Sequence, residues 1–194
     1  NGTENSITYK WKADKHAPVF TGASSFATYQ ARLPTVGFQS TSDNPTAFGA
    51  KPQRTRKWTV SDGTDAPAAT SLVNIAAVND APHETVDANA AYTENGAPVT
   101  ISPGAAASDV DNVNLVSGVV RIVAGWVDGD VLTVNGLPSG TFSGIDFSYN
   151  ASLHALLFTH PTTVGDYQAF MQAVQFSSTS ATPPNFVAHP TRTP

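Results

Sequence analysis

The sequence repeats itself at a fixed offset of 138 residues, and this repeat restricts the possible folds more than any other feature. Aligned without a gap, residues 1–56 and 139–194 share 22 identities in 56 positions. The matched residues include Phe20 with Phe158, Tyr29 with Tyr167, Val36 with Val174, Phe38 with Phe176 and Arg54 with Arg192. Such a period is typical of a tandem array in which each repeat is one structural unit. We therefore expect 138-residue modules in a natural chain longer than this sequence, with both ends inside a repeat.

The junction between modules is predicted at residues 78–82, Val-Asn-Asp-Ala-Pro. An apolar run, Leu72–Val78, stops there at a turn signal, and a central strand does not accept the proline that follows. Residues 1–80 are therefore the expected back part of one module, and residues 83–194 the front part of the next.

Composition favours β-structure. The chain contains 17 Ser, 23 Thr, 14 Gly and 14 Pro, which suit short strands joined by turns. Seven segments rich in β-branched or aromatic residues are predicted strands: Ser71–Val78, Pro98–Ser102, Val116–Val123, Val131–Asn135, Ile145–Tyr149, Ala155–Thr159 and Val174–Ser178. This pattern predicts an all-β fold of β-sandwich modules in tandem.

One segment of each repeat departs from the strand pattern. Apolar residues recur at helical spacing within residues 163–174, which predicts a short helix. The same helix is expected at residues 25–33, the matching part of the first copy.

Asp62-Gly63 and Asp128-Gly129-Asp130 predict hairpin turns. The histidines His16 and His154 occupy matched positions of the repeat, and we predict a packing or capping role for them.

Several function classes are excluded by composition. With no cysteine, the chain has no disulfides, thiol chemistry, zinc ribbon or iron–sulfur cluster. A net charge of -5 and a pI near 5.3 argue against nucleic acid as a partner. No apolar run approaches the roughly 20 residues that span a bilayer, so membrane insertion is not expected. No catalytic motif such as Gly-x-Ser-x-Gly or His-Glu-x-x-His is present, and we predict no enzyme activity.

Acidic residues concentrate between positions 80 and 130, where eight acids accompany a single base, Arg121. Clustered carboxylates need water, a counter-ion or a metal to offset their repulsion. Calcium takes six to eight oxygen ligands and irregular loops supply them readily. The candidate ligands are Asn79, Asp80, Glu94, Asp109 and Asp111. The alternative from the residues alone is that all of these are solvated turn residues.

The aromatic residues allow two interpretations. They could form a stacking platform for sugars, or they could pack in the core. Core packing is preferred because Phe20/Phe158 and Tyr29/Tyr167 recur at matched positions beside β-branched residues. The aromatic set is Trp11, Phe20, Tyr29, Trp58, Trp126, Phe158 and Tyr167.

The period, the junction at residues 78–82 and the segments Thr93-Glu94-Asn95-Gly96 and Asp109-Val110-Asp111-Asn112 together resemble the tandem cadherin-like, or bacterial immunoglobulin-like, repeats of large bacterial surface proteins and type I-secreted adhesins. The resemblance covers essentially the whole chain. It implies Greek-key sandwich modules at the cell surface and calcium bound at the junction by Asn79, Asp80, Asp109, Asp111 and Glu94. The junction here is shorter than the family's and lacks its leading aspartate.

The resemblance implies a non-enzymatic extender module of an extracellular adhesin, stiffened by Ca²⁺ against neighbouring repeats of the same chain. Two alternatives stay open. One is a filament or surface-layer subunit in which the strands around Trp58–Val78 complete a neighbouring copy by β-augmentation. The other is a glycan-binding module.

Overall fold

The structure is a computed structural model, and it describes residues 2–4 and 6–180. Antiparallel strands dominate it, which confirms the prediction of a mainly β protein. The two helices are α1 (Phe26–Arg32) and α2 (Val164–Gln172), close to the predicted positions. Neither is long and apolar enough to cross a membrane. The strands are β1 (Gly2–Glu4), β2 (Ile7–Lys12), β3 (Ala17–Thr21), β4 (Gln53–Thr59), β5 (Ala68–Asn74), β6 (His83–Thr85), β7 (Val99–Thr100), β8 (Ala106–Ser108), β9 (Asn114–Arg121), β10 (Asp130–Val134), β11 (Ser139–Phe142), β12 (Ile145–Asn150), β13 (Ala155–Thr163) and β14 (Val174–Ser178).

The chain divides into two compact units. Unit 1 comprises residues 1–42 and 53–74, and unit 2 comprises residues 43–52 and 75–194. The segment 43–52 therefore belongs with unit 2, although it lies within the first copy of the repeat.

Unit 1 contains a three-stranded sheet, β1-β2-β3, and the β4–β5 hairpin. Asp62 accepts hydrogen bonds from the N–H groups of Thr64 and Asp65 in the β4–β5 loop, so the hairpin predicted there is confirmed. The strand predicted at Ser71–Val78 extends too far, because β5 ends at Asn74. Pro52 precedes the partner strand and has no N–H with which to continue the ladder.

Unit 2 contains a four-stranded sheet of order β11-β12-β13-β9, a three-stranded sheet of order β10-β14-β7, and the pair β6–β8. Its core is one apolar cluster that includes residues of both larger sheets and α2: Ile101, Ile122, Leu132, Val134, Ile145, Phe147, Leu156, Phe158, Tyr167, Phe170, Val174 and Phe176. Asp130 accepts an N–H bond from Val127 and begins β10, but β10 pairs with β14 rather than β9. The hairpin predicted at residues 128–130 is therefore wrong, since this turn connects two sheets.

From the first strand to the helix, the two copies of the repeat have the same local structure. The match ends there, because residues 174–178 form β14 whereas the equivalent residues 36–40 form no strand. β1, β2 and β3 pair in the register of β11, β12 and β13, with every partner shifted by 138 residues. Ser25 and Thr163 cap the two helices in the same way, each accepting the N–H of the residue three positions later. Tyr29 donates to the carbonyl of Gly22 at 2.9 Å, as Tyr167 does to that of His160 at 2.9 Å.

The copies differ in burial at matched positions, and one contact illustrates the difference. In unit 2, Phe142 and Phe170 lie edge to face at 6.3 Å, and Phe170 is fully buried. The equivalent positions in unit 1 are Glu4 and Arg32, which form an ion pair. The same backbone frame therefore encloses an apolar core in unit 2 and carries a solvent-accessible ion pair in unit 1.

Gly118 in β9 gives a prediction about packing in unit 2. It lies opposite Phe158 of β13, and a Cβ atom at Gly118 would be 2.3 Å from that ring. We expect Gly118→Val to destabilise unit 2 by roughly 1–3 kcal/mol, because the added side chain over-packs the core. Urea unfolding followed by tryptophan fluorescence measures the loss. Gly136→Val is the control for a valine replacing glycine, since that position is open, although its φ of +77° adds backbone strain. Unchanged stability of Gly118→Val would contradict the packing argument.

Candidate functional site

Four of the five predicted ligand residues lie together where the loop between β8 and β9 meets the junction. Asp109 organises this loop by accepting the N–H groups of Asp111, at 3.0 Å, and Asn112, at 2.7 Å. A carboxylate that accepts two consecutive backbone N–H groups forms a compact turn without any metal. The loop is therefore preformed in the protein alone.

The predicted junction, residues 78–82, is joined to this loop by hydrogen bonds. The backbone N–H of Asp80 donates to Asp111 Oδ2 at 3.2 Å, and Asn79 Nδ2 donates to the carbonyl of Asp80 at 2.7 Å. Sequence spacing alone does not bring residues 79–80 and 109–112 together, because about thirty residues separate them. The tertiary fold makes one site of them.

Two oxygen atoms of this site converge on a single point. Asn79 Oδ1 and Asp111 Oδ1 both accept from Asn112 Nδ2, at 2.6 and 3.1 Å. An amide nitrogen thus lies between a carboxylate oxygen and an amide oxygen that face each other. A cation at this point would have two oxygen ligands, provided that the Asn112 side chain turned away from it.

Sequence analysis did not choose two residues that the structure places here. Asn112 bridges the junction and the loop, as described above. Asn44, in the segment 43–52, donates to the carbonyl of Val110 at 3.1 Å and accepts the N–H of Phe48 at 2.9 Å. The Asn-Pro pair at positions 44–45 is a turn signal, but the repeat alignment assigned it to the first module and gave no reason to place it near Val110.

Glu94 is not brought into the cluster. It lies in a turn in which Gly96 N–H donates to the carbonyl of Thr93, and Tyr92 anchors this segment to Ser178 at the end of β14. Among the described residues, no hydrogen bond joins Glu94 to the loop at Asp109–Asn112.

An open cleft of about 450 Å³ adjoins the site, and part of its lining is polar. Its walls are Thr46, Phe48, Gly49, Ala77, Asn79, Asp111, Asn112, Val113 and Asn114.

Within residues 2–4 and 6–180, no three His, Cys, Asp or Glu side chains form a group that could hold a metal. A cation here would depend on amide and carbonyl oxygens as much as on carboxylates, which is chemistry that suits Ca²⁺.

The loop gives a prediction about pH. Desolvation alone would raise the pKa of Asp109, but the N–H bonds from Asn112 and Asp111 hold it below its ordinary value. A lowered native pKa contributes stability above the unfolded pKa of about 3.9, and this contribution is lost as pH falls through the native pKa. We expect the urea midpoint of wild type to exceed that of Asp109→Asn at pH 6, and the difference to shrink as the pH falls below the unfolded pKa of about 3.9. A difference that stays constant with pH would contradict it.

The aromatic residues are divided between core and surface. Phe158 and Tyr167 are buried, so their predicted core role is confirmed. Trp11 is 57% exposed, so for this residue the core prediction is wrong: β2 leaves that side chain on the open side of a three-stranded sheet. His154 stacks on Trp126 at 3.9 Å between ring centroids, which confirms a packing role for that histidine.

Comparison with known proteins identifies no relative. No family model, no curated protein and no solved structure matches the chain.

Proposed function

We propose that this chain is a non-enzymatic extender module of a large extracellular bacterial surface protein, with calcium bound where the junction meets the β8–β9 loop. The observation that carries the proposal is the convergence of Asn79 Oδ1 and Asp111 Oδ1 on one point. The tandem repeat supports the role of extender, because repeats joined head to tail gain stability from each unit and each neighbour contact.

Some of the proposed ligands already face the ion position, and others would have to move towards it. Asp111 and Asn79 already face the point now taken by the Asn112 amide. The Asn112 side chain would have to turn away from that point to admit an ion, and its Oδ1 could then become a third oxygen ligand. Asp109 and the carbonyl of Asp80 lie next to them and complete an oxygen-rich set, with water filling the remaining positions.

Calcium at this position would couple the junction to the following module. Without a cation, the junction is held to the loop by one hydrogen bond from Asp80 and one from Asn112, both of them exposed. Exposed hydrogen bonds open easily, since water competes for each partner. A bound ion ties the same segments by charge and stabilises the native state according to its affinity. A tandem array of such joints would be stiff when calcium is present.

The test is calcium titration with thermal melting. Ca²⁺ raises the melting temperature of the chain, and replacement of Asp109 and Asp111 by alanine removes the rise. A melting temperature that does not respond to calcium would contradict the proposed site.

Glycan binding is the second candidate. The observation in its favour is an exposed aromatic pair on β2, where Tyr9 and Trp11 are two residues apart and so share one face of the strand. Aromatic faces stack on sugar rings. Binding of a glycan panel that Trp11→Ala abolishes would favour this role.

A further inference from the structure

The open cleft of about 450 Å³ beside the junction has a lining that suits an organic ligand. All the described residues of its walls belong to unit 2, so the cleft lies within one compact unit. Its volume is within the range of small-molecule sites. The lining combines one exposed aromatic ring, Phe48, with the polar side chains of Asn79, Asp111, Asn112 and Asn114.

Phe48 is held in the cleft by a backbone conformation that residues with a Cβ atom rarely adopt. Ala47 and Phe48 have φ values of +50° and +56°, and Gly49 continues the left-handed turn at +80°. Hydrogen bonds fix this turn. The N–H of Phe48 donates to Asn44 Oδ1 at 2.9 Å, and the N–H of Gly49 donates to Thr46 Oγ1 at 3.2 Å. The ring is therefore presented by a rigid turn.

The phenylalanine at this position is not explained by the stability of the turn. Glycine adopts a positive φ without strain, whereas a bulky side chain does so at a cost. Burial does not offset that cost fully, because Phe48 is 54% exposed. Strained residues of this kind concentrate at ligand sites, where the surrounding structure holds them in place. The position of Phe48 thus indicates that the ring itself is used.

The polar part of the lining offers donors and acceptors but no positive charge. Asn114 supplies an amide with two donors and one acceptor, and among the described residues its side chain makes no hydrogen bond. Asp111 accepts one hydrogen bond at each carboxylate oxygen, which leaves it lone pairs for a ligand. None of the described lining residues is Lys, Arg or His. An anionic ligand would meet the Asp111 carboxylate without a counter-charge.

These groups match a neutral ligand that has hydroxyl groups at its edge and C–H groups on its face. Each hydroxyl donates and accepts, as an amide does, and a carboxylate accepts from hydroxyl donors. The C–H face of a pyranose ring packs on an aromatic ring. A purely apolar ligand would leave the amides unpaired, and a metal ion alone would not use Phe48. A saccharide has both required features in one rigid ring.

We propose that the cleft is a saccharide-binding site, in which Phe48 stacks on a pyranose ring while Asp111 and Asn114 hydrogen-bond to its hydroxyl groups. The site is separate from the aromatic pair on β2, which belongs to unit 1. It goes beyond the role of an extender and needs no calcium, although Asp111 is also a proposed ligand of the ion.

The probes are the neutral oligosaccharides cellotriose, maltotriose and mannotriose. Each is titrated in EDTA into the isotope-labelled chain, and amide chemical shifts are followed. We expect saturable shifts at Gly49, Val113 and Asn114 for at least one probe, with a dissociation constant of about 0.1–5 mM. The indole signal of Trp11 should not move. Sorbitol, which has hydroxyl groups but no ring face, is the matched control and should cause no shifts.

Variants separate the stacking ring from the hydrogen bonds. Phe48→Ala should weaken binding at least about tenfold, and Phe48→Tyr, which keeps the ring, should retain it. Asn114→Ala should weaken binding about fivefold, the loss of one hydrogen bond. Phe38→Ala removes another exposed phenylalanine, in unit 1, and should leave binding unchanged. Far-UV circular dichroism of each variant checks that the chain is folded.

Several results would overturn the proposal. They include equal binding by wild type and Phe48→Ala, and no saturation with any probe up to about 50 mM. Shifts confined to Trp11 would place the saccharide on β2 instead. Binding that requires Ca²⁺ would assign the hydroxyl groups to the ion rather than to the lining. Because the titration is carried out in EDTA, a chain that fails to bind calcium can still bind the saccharide, so the two proposals fail separately.

Discussion

Saturating Ca²⁺ should raise the melting temperature of this chain by about 5–10 °C. At a hundred times the dissociation constant, an ion that binds only the native state adds about 2.7 kcal/mol, and for a chain of this size each kcal/mol raises the melting temperature by about 2–4 °C. The double variant Asp109→Ala, Asp111→Ala should lose the rise. Differential scanning calorimetry with and without calcium measures both.

Two further variants separate ligand loss from loop damage. Asp14→Ala with Asp65→Ala removes the same charge from unit 1 and should keep the calcium response. Asn112→Asp places a carboxylate where the amide now bridges Asn79 and Asp111. It should lower the melting temperature without calcium, through repulsion, and enlarge the rise with calcium. A rise of the same size in every variant, or with Mg²⁺ as with Ca²⁺, would contradict a specific site at this loop.

Phe170→Ala should be the most damaging single substitution in unit 2, with a loss of about 3–5 kcal/mol in the free energy of unfolding. Phe170 is fully buried and contacts Phe142, Phe147 and Phe158. Removing its ring leaves a cavity that three other aromatic rings cannot easily fill. Urea unfolding followed by far-UV circular dichroism measures the loss.

Arg32→Ala is the matched control, because Arg32 occupies the same place in the repeat. Its only described ion pair is with an exposed glutamate, Glu4, and such pairs contribute little to stability. We expect nearly unchanged unfolding. Equal losses from Phe170→Ala and Arg32→Ala would show that both copies enclose a core, contrary to the difference in burial.

The sequence predicted much of the local structure. Strand β14 was predicted with its observed bounds, β9, β10, β12 and β13 were predicted with small errors at their ends, and both helices were found. These elements have strong side-chain periodicity, which is a local property. Among the strands that sequence analysis missed, β1 and β11 are short and contain glycine, serine or threonine, so their assignment depends on the partner strand. The longer strands β2, β3 and β4 were also missed.

The candidate site was predicted only in part. Asp109 and Asp111 are close in sequence, and spacing was enough to group them. Asn44 and Asn112 act through contacts to Val110 and Asn79 that appear only when distant segments fold together. No described hydrogen bond joins the turn of Glu94 to this loop, and its role as a ligand stays a prediction.

The sequence by itself determined the period of 138 and the two helices, because identities are read directly from the chain and a helix with its cap needs only neighbouring residues. The tertiary structure decided which copy has a core. Phe158 and Phe20 have the same local setting, yet only Phe158 is covered, by β9. Burial depends on which strand lies alongside, and that contact is made by a segment remote in sequence.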